Sequence, residues 1–220
     1  MSAPSTHPVN FQGSRLARWI LKMLGWRLEF DGFPQLQGVA IVYPHTSNWD
    51  FPVGILAKWA LGIPANFWGK DSLFTFPLVG AWMRWVGGVP IDRSSPKGVV
   101  GQMVQAFEQH KKEGRLLWLA LAPEGTRSLT PGWRSGFYQV AKGAEVPLAL
   151  VKLDWGRRTL SLVDFYNLTG DQQADYAHMA GVYDGVKGFH ALQAAPVLPW
   201  SPPAKGLPHD VEDSNRIQNR

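Results

Sequence analysis

Three short polar clusters carry the residue types needed for proton transfer and for anion binding. They are His45-Thr-Ser-Asn-Trp-Asp50, Asp92-Arg93 and Pro123-Glu-Gly-Thr-Arg127. Each begins within two residues of the C-terminal end of an apolar run that is typical of a β-strand. Ligands of open α/β sheets bind at that end of the strands. We therefore expect one histidine, several carboxylates and two arginines to meet in one crevice.

His45 and Asp50 have the types and spacing of a base and its partner. An imidazole acts as a general base when its tautomer is held, and a carboxylate that accepts from the second ring nitrogen holds it. Five residues apart across a loop-to-helix turn, the two side chains can meet. The alternative is structural, with His45 capping a helix and Asp50 lying in its first turn.

Residues 123–128 combine a carboxylate, a bare backbone, a hydroxyl and a guanidinium. Arg127 can hold a phosphate through two parallel hydrogen bonds. Gly125 lets a ligand approach the main chain, and Glu124 and Thr126 add polar groups beside it. The alternative is a turn with a local threonine hydrogen bond and a solvated arginine.

Further basic residues stand near the ends of other strands. Arg93 follows Asp92, so it offers either a second guanidinium for the ligand or one half of a structural ion pair. Lys70 and Arg134 are additional candidates for anion binding, although a basic residue at the end of a strand is usually a solvated surface cation.

Alternating apolar runs and helical patterns predict an α/β fold with a mostly parallel central sheet flanked by helices. The predicted strands are 39–43, 65–68, 89–91, 116–122, 146–151 and 159–165. The predicted helices are 49–61, 76–86, 97–112 and 135–144, with 171–192 as a further helix weakened by three glycines.

The chain of 220 residues is long enough for one core, which we place in a single domain over residues 14–195. It is preceded by a flexible N-terminus, 1–13, and followed by a disordered tail, 196–220. Residues 14–28 predict an N-terminal amphipathic helix with three basic residues on one stripe. This helix, like the tryptophan-rich stretch 73–90, fits either a membrane surface or ordinary packing.

The composition excludes several classes of site. The chain has no cysteine, which removes disulfides, thiolate metal sites and a cysteine nucleophile. Its formal charge of +5 suits anionic partners, but the basic residues are scattered and predict no nucleic-acid module. No metal-ligand spacing, signal peptide or long uncharged apolar stretch is present, so we expect no metal and a cytoplasmic location.

Four blocks in order resemble the glycerophospholipid acyltransferase family, the 1-acyl-sn-glycerol-3-phosphate acyltransferases and their relatives with an H-x4-D motif. The blocks are His45-Thr-Ser-Asn-Trp-Asp50, Gly88-Val-Pro-Ile-Asp92-Arg93, Ala122-Pro-Glu-Gly-Thr-Arg-Ser128 and Val146-Pro-Leu-Ala-Leu-Val151. The match spans about residues 36–153. Each block alone is weak, and the four in order make coincidence improbable.

The resemblance implies an O-acyltransferase that moves a fatty acyl group from acyl-CoA or acyl carrier protein to a lysophospholipid hydroxyl, foremost lysophosphatidate. His45 would be the base and Asp50 its partner, with no cofactor beyond the donor. The acceptor's polar head would lie against Arg93, Glu124, Gly125, Thr126 and Arg127. The chain would meet lipid peripherally, at the inner face of the cell membrane.

Two positions depart from the family's pattern. Ala122 replaces an aromatic residue and Leu150 replaces a proline, which puts the acceptor's identity in doubt. Because no cysteine or G-x-S-x-G elbow supplies a nucleophile, direct attack of the acceptor on the thioester is favoured. Two other functions stay open, a lipid-binding protein that performs no chemistry and a hydrolase in which His45 activates water.

Overall fold

Seven strands form one central sheet and six helices cover it in the computed structural model, which describes residues 8–70, 74–91 and 98–200. The sheet strands are β1 (Arg27–Glu29), β2 (Gln37–Tyr43), β3 (Asn66–Lys70), β4 (Gly88–Ile91), β5 (Leu117–Leu121), β7 (Leu148–Asp154) and β8 (Thr159–Tyr166). A separate pair is made by β6 (Trp133–Arg134) and β9 (Pro199–Trp200). The helices are α1 (Arg15–Met23), α2 (Asp50–Leu61), α3 (Pro77–Trp85), α4 (Gly98–Lys112), α5 (Gly136–Ala144) and α6 (Gln172–Val182).

The strand order is β1-β8-β7-β2-β5-β3-β4, and neighbours are parallel except for β7 and β8. The predicted α/β fold with a mostly parallel sheet is thus confirmed. The central strand β2 lies between β7 and β5, so the loops that follow these three strands leave the same edge of the sheet. That edge carries the first and third polar clusters.

Alternation along β2 builds two cores. Val39, Ile41 and Tyr43 face the core that packs under α4, α5 and α6, because successive side chains of a strand point to opposite faces. Ala40 and Val42 face the second core, to which α1 and α2 contribute. None of the helices in the described ranges has the length and apolar character needed to cross a bilayer.

The ends of two predicted helices were wrong. The predicted helix 14–28 ends at Met23, because Gly25 adopts a left-handed φ of 77° and the chain then enters β1, which was not predicted. The helix predicted over 171–192 ends at Val182, and Gly185 again has a positive φ, of 70°. Short paired segments such as β1 have too few residues to show a period.

Parts of both predicted flexible ends are ordered. Within 1–13, Val9 pairs with Phe33, and Gly13 lies so close to the carbonyl of Ala60 that a Cβ would stand 2.0 Å from its oxygen. Within 196–220, Pro199–Trp200 form β9 beside β6. Tertiary partners that are distant in sequence order these segments. Residues 1–7 and 201–220 lie outside the described residues.

Candidate active site

His45 and Asp50 meet at the carboxyl edge of β2. The Nδ1 atom of His45 lies 3.0 Å from Oδ2 of Asp50. The imidazole is 27% exposed, whereas the carboxylate is 2% exposed. Asp50 is also the first residue of α2, so the helical placement and the pairing with His45 occur together. A hydrogen bond to Nδ1 leaves Nε2 as the ring nitrogen that can take a proton.

The carboxylate of Asp50 is buried but fully hydrogen bonded. Its Oδ2 also accepts the backbone N–H groups of Thr46 and Ser47, both at 2.8 Å. Its Oδ1 accepts the indole N–H of Trp155 at 2.7 Å. Burial alone would raise the pKa of Asp50, but the hydrogen bonds from His45, Ser47 and Trp155 hold the pKa below its ordinary value. The residue is therefore a fixed anion.

Glu124 joins the first and third polar clusters. Its Oε2 accepts the backbone N–H of His45 at 2.6 Å, and its Oε1 accepts that of Ala195 at 3.2 Å. The side chain is 1% exposed. Burial, together with the charge of Asp50, raises the pKa of Glu124 to about 8, although the two amide hydrogen bonds oppose that rise. Glu124 thus holds backbone at the site, a different role from the predicted contact with a polar head.

The other residues of the third cluster differ in what they face. Gly125 lines an apolar cavity between the sheet and α2. It has a left-handed φ of 67°, and a Cβ there would stand 2.7 Å from Cδ of Arg134. Arg134 therefore lies beside the site, with its guanidinium carbon 5.8 Å from the ring centre of Trp200. Thr126 accepts the N–H of Ser128 at 3.3 Å in a local turn.

Two predicted basic residues cannot be placed in the site. Arg93 and its neighbour Asp92 lie outside the described residues. Lys70 is the last residue of β3, but its side chain is likewise outside the description. The strands that lead to Lys70 and Arg93 are β3 and β4. As expected, β3 is parallel to both β4 and β5.

An apolar cavity of about 450 Å³ opens beside His45 and Asp50. It lies between the sheet and α2 because the residues on these facing surfaces are small, namely Ala40, Ala120, Gly54 and Ala57. A Cβ built on Gly54 would have no atom within 4 Å. Aromatic and aliphatic side chains complete the wall, among them Phe30, Phe33, Val42, Phe51, Ile55, Phe67, Val151 and Leu153. Such a volume accommodates a long apolar group.

A second, polar depression of about 300 Å³ adjoins the same loop. It is lined by residues 46–49, by Arg127 of the third cluster and by Phe189, His190 and Gln193. His190 also donates its backbone N–H to the hydroxyl of Thr46 at 3.1 Å. Arg127 and the imidazole of His190 make this depression suitable for an anion.

The two departures from the family's pattern have different consequences. Ala122 lines the apolar cavity, so the small side chain there leaves room that an aromatic ring would occupy. Leu150 is fully buried in the core under α4, α5 and α6 and lies outside the cavity wall.

Three groups of residues at the site were missed by sequence reasoning. Trp155 follows β7 directly, but the sequence predicted that this strand ends at residue 151, so no strand-end signal pointed to Trp155. Lys58 lines the apolar cavity and donates to the carbonyl of Val86 at 2.5 Å; burial lowers the pKa of its ammonium. Residues 187–195 carry no motif, and nothing in their sequence predicted contact with the site.

Comparison with known proteins gives the family of this chain. A family model described as Acyltransferase matches residues 27–151, which is more than half of the chain and includes both ends of the His45–Asp50 pair. The chain belongs to the Acyltransferase family. Within it, the chain is 26% identical over 132 residues to a chloroplastic 1-acyl-sn-glycerol-3-phosphate acyltransferase of Brassica napus. It is 25% identical over 177 residues to the 1-acyl-sn-glycerol-3-phosphate acyltransferase of Saccharomyces cerevisiae.

These alignments cover only part of each protein. They include 58% and 68% of this chain, but only 37% of the Brassica protein and 58% of the yeast protein. The crystal structure of the 1-acyl-sn-glycerophosphate acyltransferase PlsC from Thermotoga maritima has the same fold, with a TM-score of 0.50 and 16% identity. That superposition covers 76% of this chain and 73% of PlsC.

Proposed function

We propose that this chain transfers a fatty acyl group from a thioester, acyl-CoA or acyl carrier protein, to a hydroxyl of a lysophospholipid. Lysophosphatidate is the first candidate acceptor, because the curated relatives are 1-acyl-sn-glycerol-3-phosphate acyltransferases. The observation that carries the proposal is the 3.0 Å contact between His45 and Asp50 beside an apolar cavity of about 450 Å³. A base next to an acyl-sized cavity is the arrangement that acyl transfer to an alcohol requires.

The proton balance follows from the His45–Asp50 pair. Nε2 of His45 takes the proton of the acceptor hydroxyl as its oxygen attacks the thioester carbonyl. Asp50, held as an anion, stabilises the imidazolium that forms. When the carbon–sulfur bond breaks, the imidazolium returns its proton to the departing thiolate. The thioester is already activated, so this sequence needs no cofactor beyond the two substrates.

The two cavities divide the substrates by polarity. The apolar cavity takes an acyl chain, because most of its wall is apolar and shields that chain from water. The polar depression takes the phosphate of the acceptor's head, with Arg127 as its main cation and His190 and Gln193 beside it. Both cavities lie against the loop that carries His45. The donor's acyl group and the acceptor's hydroxyl can therefore meet beside the base.

Helices α1 and α3 favour peripheral binding to an anionic membrane. Both pack against the last turn of α2: Arg18 donates to the carbonyl of Ala60, and the rings of Trp59 and Trp85 lie 5.3 Å apart. Trp82 of α3 lies 6.0 Å from Phe51, whose ring lines the apolar cavity. The exposed apolar side chains of this membrane-facing surface are Leu16, Trp19, Met23, Phe76, Leu78, Val79, Trp82 and Trp85.

This surface joins lipid to the cavity. Arg15, Arg18 and Lys22 of α1 supply positive charge beside it, and such a combination binds anionic headgroups while apolar rings enter the interface. We place the chain at the inner face of the cell membrane, where a lipid acceptor can pass from the bilayer to the cavity without crossing water.

The reaction is tested by thiol release. The full chain is mixed with long-chain acyl-CoA and with vesicles that contain lysophosphatidate, and free CoA is measured with a thiol reagent. Because the protein has no cysteine, it adds no background of its own. We expect CoA release that depends on the acceptor, and a decrease of about 10²- to 10⁴-fold in His45→Ala.

His178→Ala is the matched control. His178 pairs with Asp164 at 2.7 Å, but it lines neither cavity, so its loss should leave turnover unchanged. Normal turnover in His45→Ala would refute the assignment of the base. CoA release without acceptor would indicate a hydrolase, and lipid binding without CoA release would indicate a binding protein.

Vesicle sedimentation tests the membrane-facing surface. The double variant Trp19→Ser/Trp82→Ser should lose binding to phosphatidylglycerol vesicles, whereas Leu192→Ser, which removes a side chain 93% exposed elsewhere on the chain, should keep it. Equal binding by all three proteins would overturn the assignment of this surface.

A further inference from the structure

The two oxygens of Asp50 are held very unequally. Oδ2 is shared by three donors: Nδ1 of His45 and the amides of Thr46 and Ser47. Oδ1 has the indole N–H of Trp155, at 2.7 Å, as its hydrogen-bond donor within the described ranges. The carboxylate is 2% exposed, so water cannot easily replace that bond. The second oxygen therefore depends on one side chain.

Trp155 is itself fixed from three sides. Its ring meets the ring of Trp26 edge-on at 4.9 Å and the ring of Phe189 edge-on at 4.7 Å. Its backbone N–H donates to the carbonyl of Lys187 at 2.8 Å. These partners come from the turn before β1 and from the segment after α6. An indole held in this way has few rotamers from which to choose, so its N–H points steadily at Asp50.

We propose that Trp155 is a positioning residue for the reaction, whose indole N–H holds the Asp50 carboxylate in the orientation that meets His45. The inference rests on the proposed function. Trp155 lies outside residues 27–151 that the family model matches and outside all four sequence blocks. It acts through Asp50 and has no contact with the reacting atoms.

The electrostatic consequence follows from burial. A buried carboxylate oxygen that loses its donor is destabilised as an anion, and the pKa of Asp50 should then rise from its lowered value. Two ionisable groups are coupled to Asp50 in the described structure: His45, which contacts it and helps to lower its pKa, and Glu124, whose pKa is raised by the charge of Asp50. Both remain in the variants below, so a change in the titration of Asp50 reports on Trp155.

Trp155→Phe keeps the apolar ring and removes the N–H. We expect kcat/KM to decrease about tenfold or more, the scale of losing a hydrogen bond to a charged group. We also expect the acid limb of the pH profile to move to higher pH. The reaction requires His45 to be neutral and Asp50 to be ionised, and an Asp50 carboxylate without its indole donor attracts the proton of the pair more strongly. A merely structural role would lower the amount of folded protein without moving that limb.

Trp133→Phe is the matched control. Trp133 is fully buried, and its Nε1 has no hydrogen-bond partner among the described residues, so the same substitution removes no hydrogen bond. The acid limb of the pH profile of Trp133→Phe should coincide with that of the unaltered chain. Phe189→Leu keeps the indole N–H but removes one ring that fixes it, and should shift the limb by a smaller amount in the same direction.

Titration of Asp50 by carboxyl ¹³C NMR separates this inference from the proposed function. The pKa of Asp50 should be higher in Trp155→Phe than in the unaltered chain, whether or not acyl transfer is detected. An unchanged pKa and an unmoved acid limb would overturn the role of Trp155. If Phe189→Leu folds and Trp155→Phe does not, the pKa of Asp50 is measured in Phe189→Leu instead. A raised pKa there supports the role of Trp155, and an unchanged one overturns it.

Discussion

Replacing Glu124 with Gln should flatten the dependence of stability on pH. In the folded chain the pKa of Glu124 is raised to about 8 by burial and by the nearby charge of Asp50, against an ordinary value of 4.5. Between these values the folded state keeps a proton that the unfolded state releases. The contribution of Glu124 to stability is therefore largest below pH 4.5 and is lost as the pH rises toward 8.

The magnitude follows from the size of the shift. The slope approaches about 1.4 kcal/mol per pH unit within this window, or roughly 2–3 kcal/mol between pH 5.5 and 7.5. Gln cannot ionise, so its variant should lack that contribution. Glu124 accepts the backbone N–H groups of both His45 and Ala195. In Glu124→Gln, one of these two N–H groups would face the side-chain NH₂ group instead of an oxygen. That loss lowers stability at every pH and leaves the difference in slope intact.

Urea denaturation at pH 5.5, 6.5, 7.5 and 8.5, followed by tryptophan fluorescence, measures both curves. The six histidines contribute equally to the two proteins, so the difference between slopes isolates Glu124. Glu108→Gln, at an exposed position of α4, is the control for replacing a carboxylate and should keep the original slope. Equal slopes for Glu124→Gln and the unaltered chain would refute a protonated, buried Glu124.

Three further outcomes are expected. Asp50→Asn should lower acceptor-dependent CoA release by about 10²- to 10⁴-fold in folded protein, because the imidazolium loses its anion; turnover near normal would contradict this. Gly54→Leu should reduce turnover of long acyl donors more than short ones, since its side chain enters open space in the cavity, whereas Gly54→Ala should not; chain-length profiles decide. Asp175→Asn should cost about 2–4 kcal/mol of unfolding free energy at pH 7. Asp175 is fully buried and accepts hydrogen bonds from Tyr138, Tyr166 and Thr169. These bonds outweigh the effect of burial and lower the pKa of Asp175 to about 2. The difference in unfolding free energy between Asp175→Asn and the unaltered chain should therefore shrink as the pH falls from 4 through 2.

Several features were predictable because they depend on local pattern. The apolar, β-branched run 39–43 predicted the strand that lies at the centre of the sheet. The positions of His45 and Arg127 just after apolar runs predicted the edge of the sheet at which the polar clusters meet. The spacing of His45 and Asp50 across a turn into a helix was enough to predict their contact, since that geometry is set within six residues.

Other features required the folded chain. The role of Glu124 differs from the prediction because its oxygens meet the amides of His45 and Ala195, each more than seventy residues away. Residues 187–195 and Trp155 reach the site only after the sheet has placed β7 beside β2. The apolar cavity likewise depends on small residues from separate elements facing one another.

The sequence by itself determined which residues could exchange protons and at which ends of the strands they stand, because strand period and turn chemistry act over a few neighbouring residues. The tertiary structure alone decided which carboxylate stays charged, which backbone is held and how much space remains for a substrate. Those properties depend on desolvation and on packing between surfaces that are far apart in the chain.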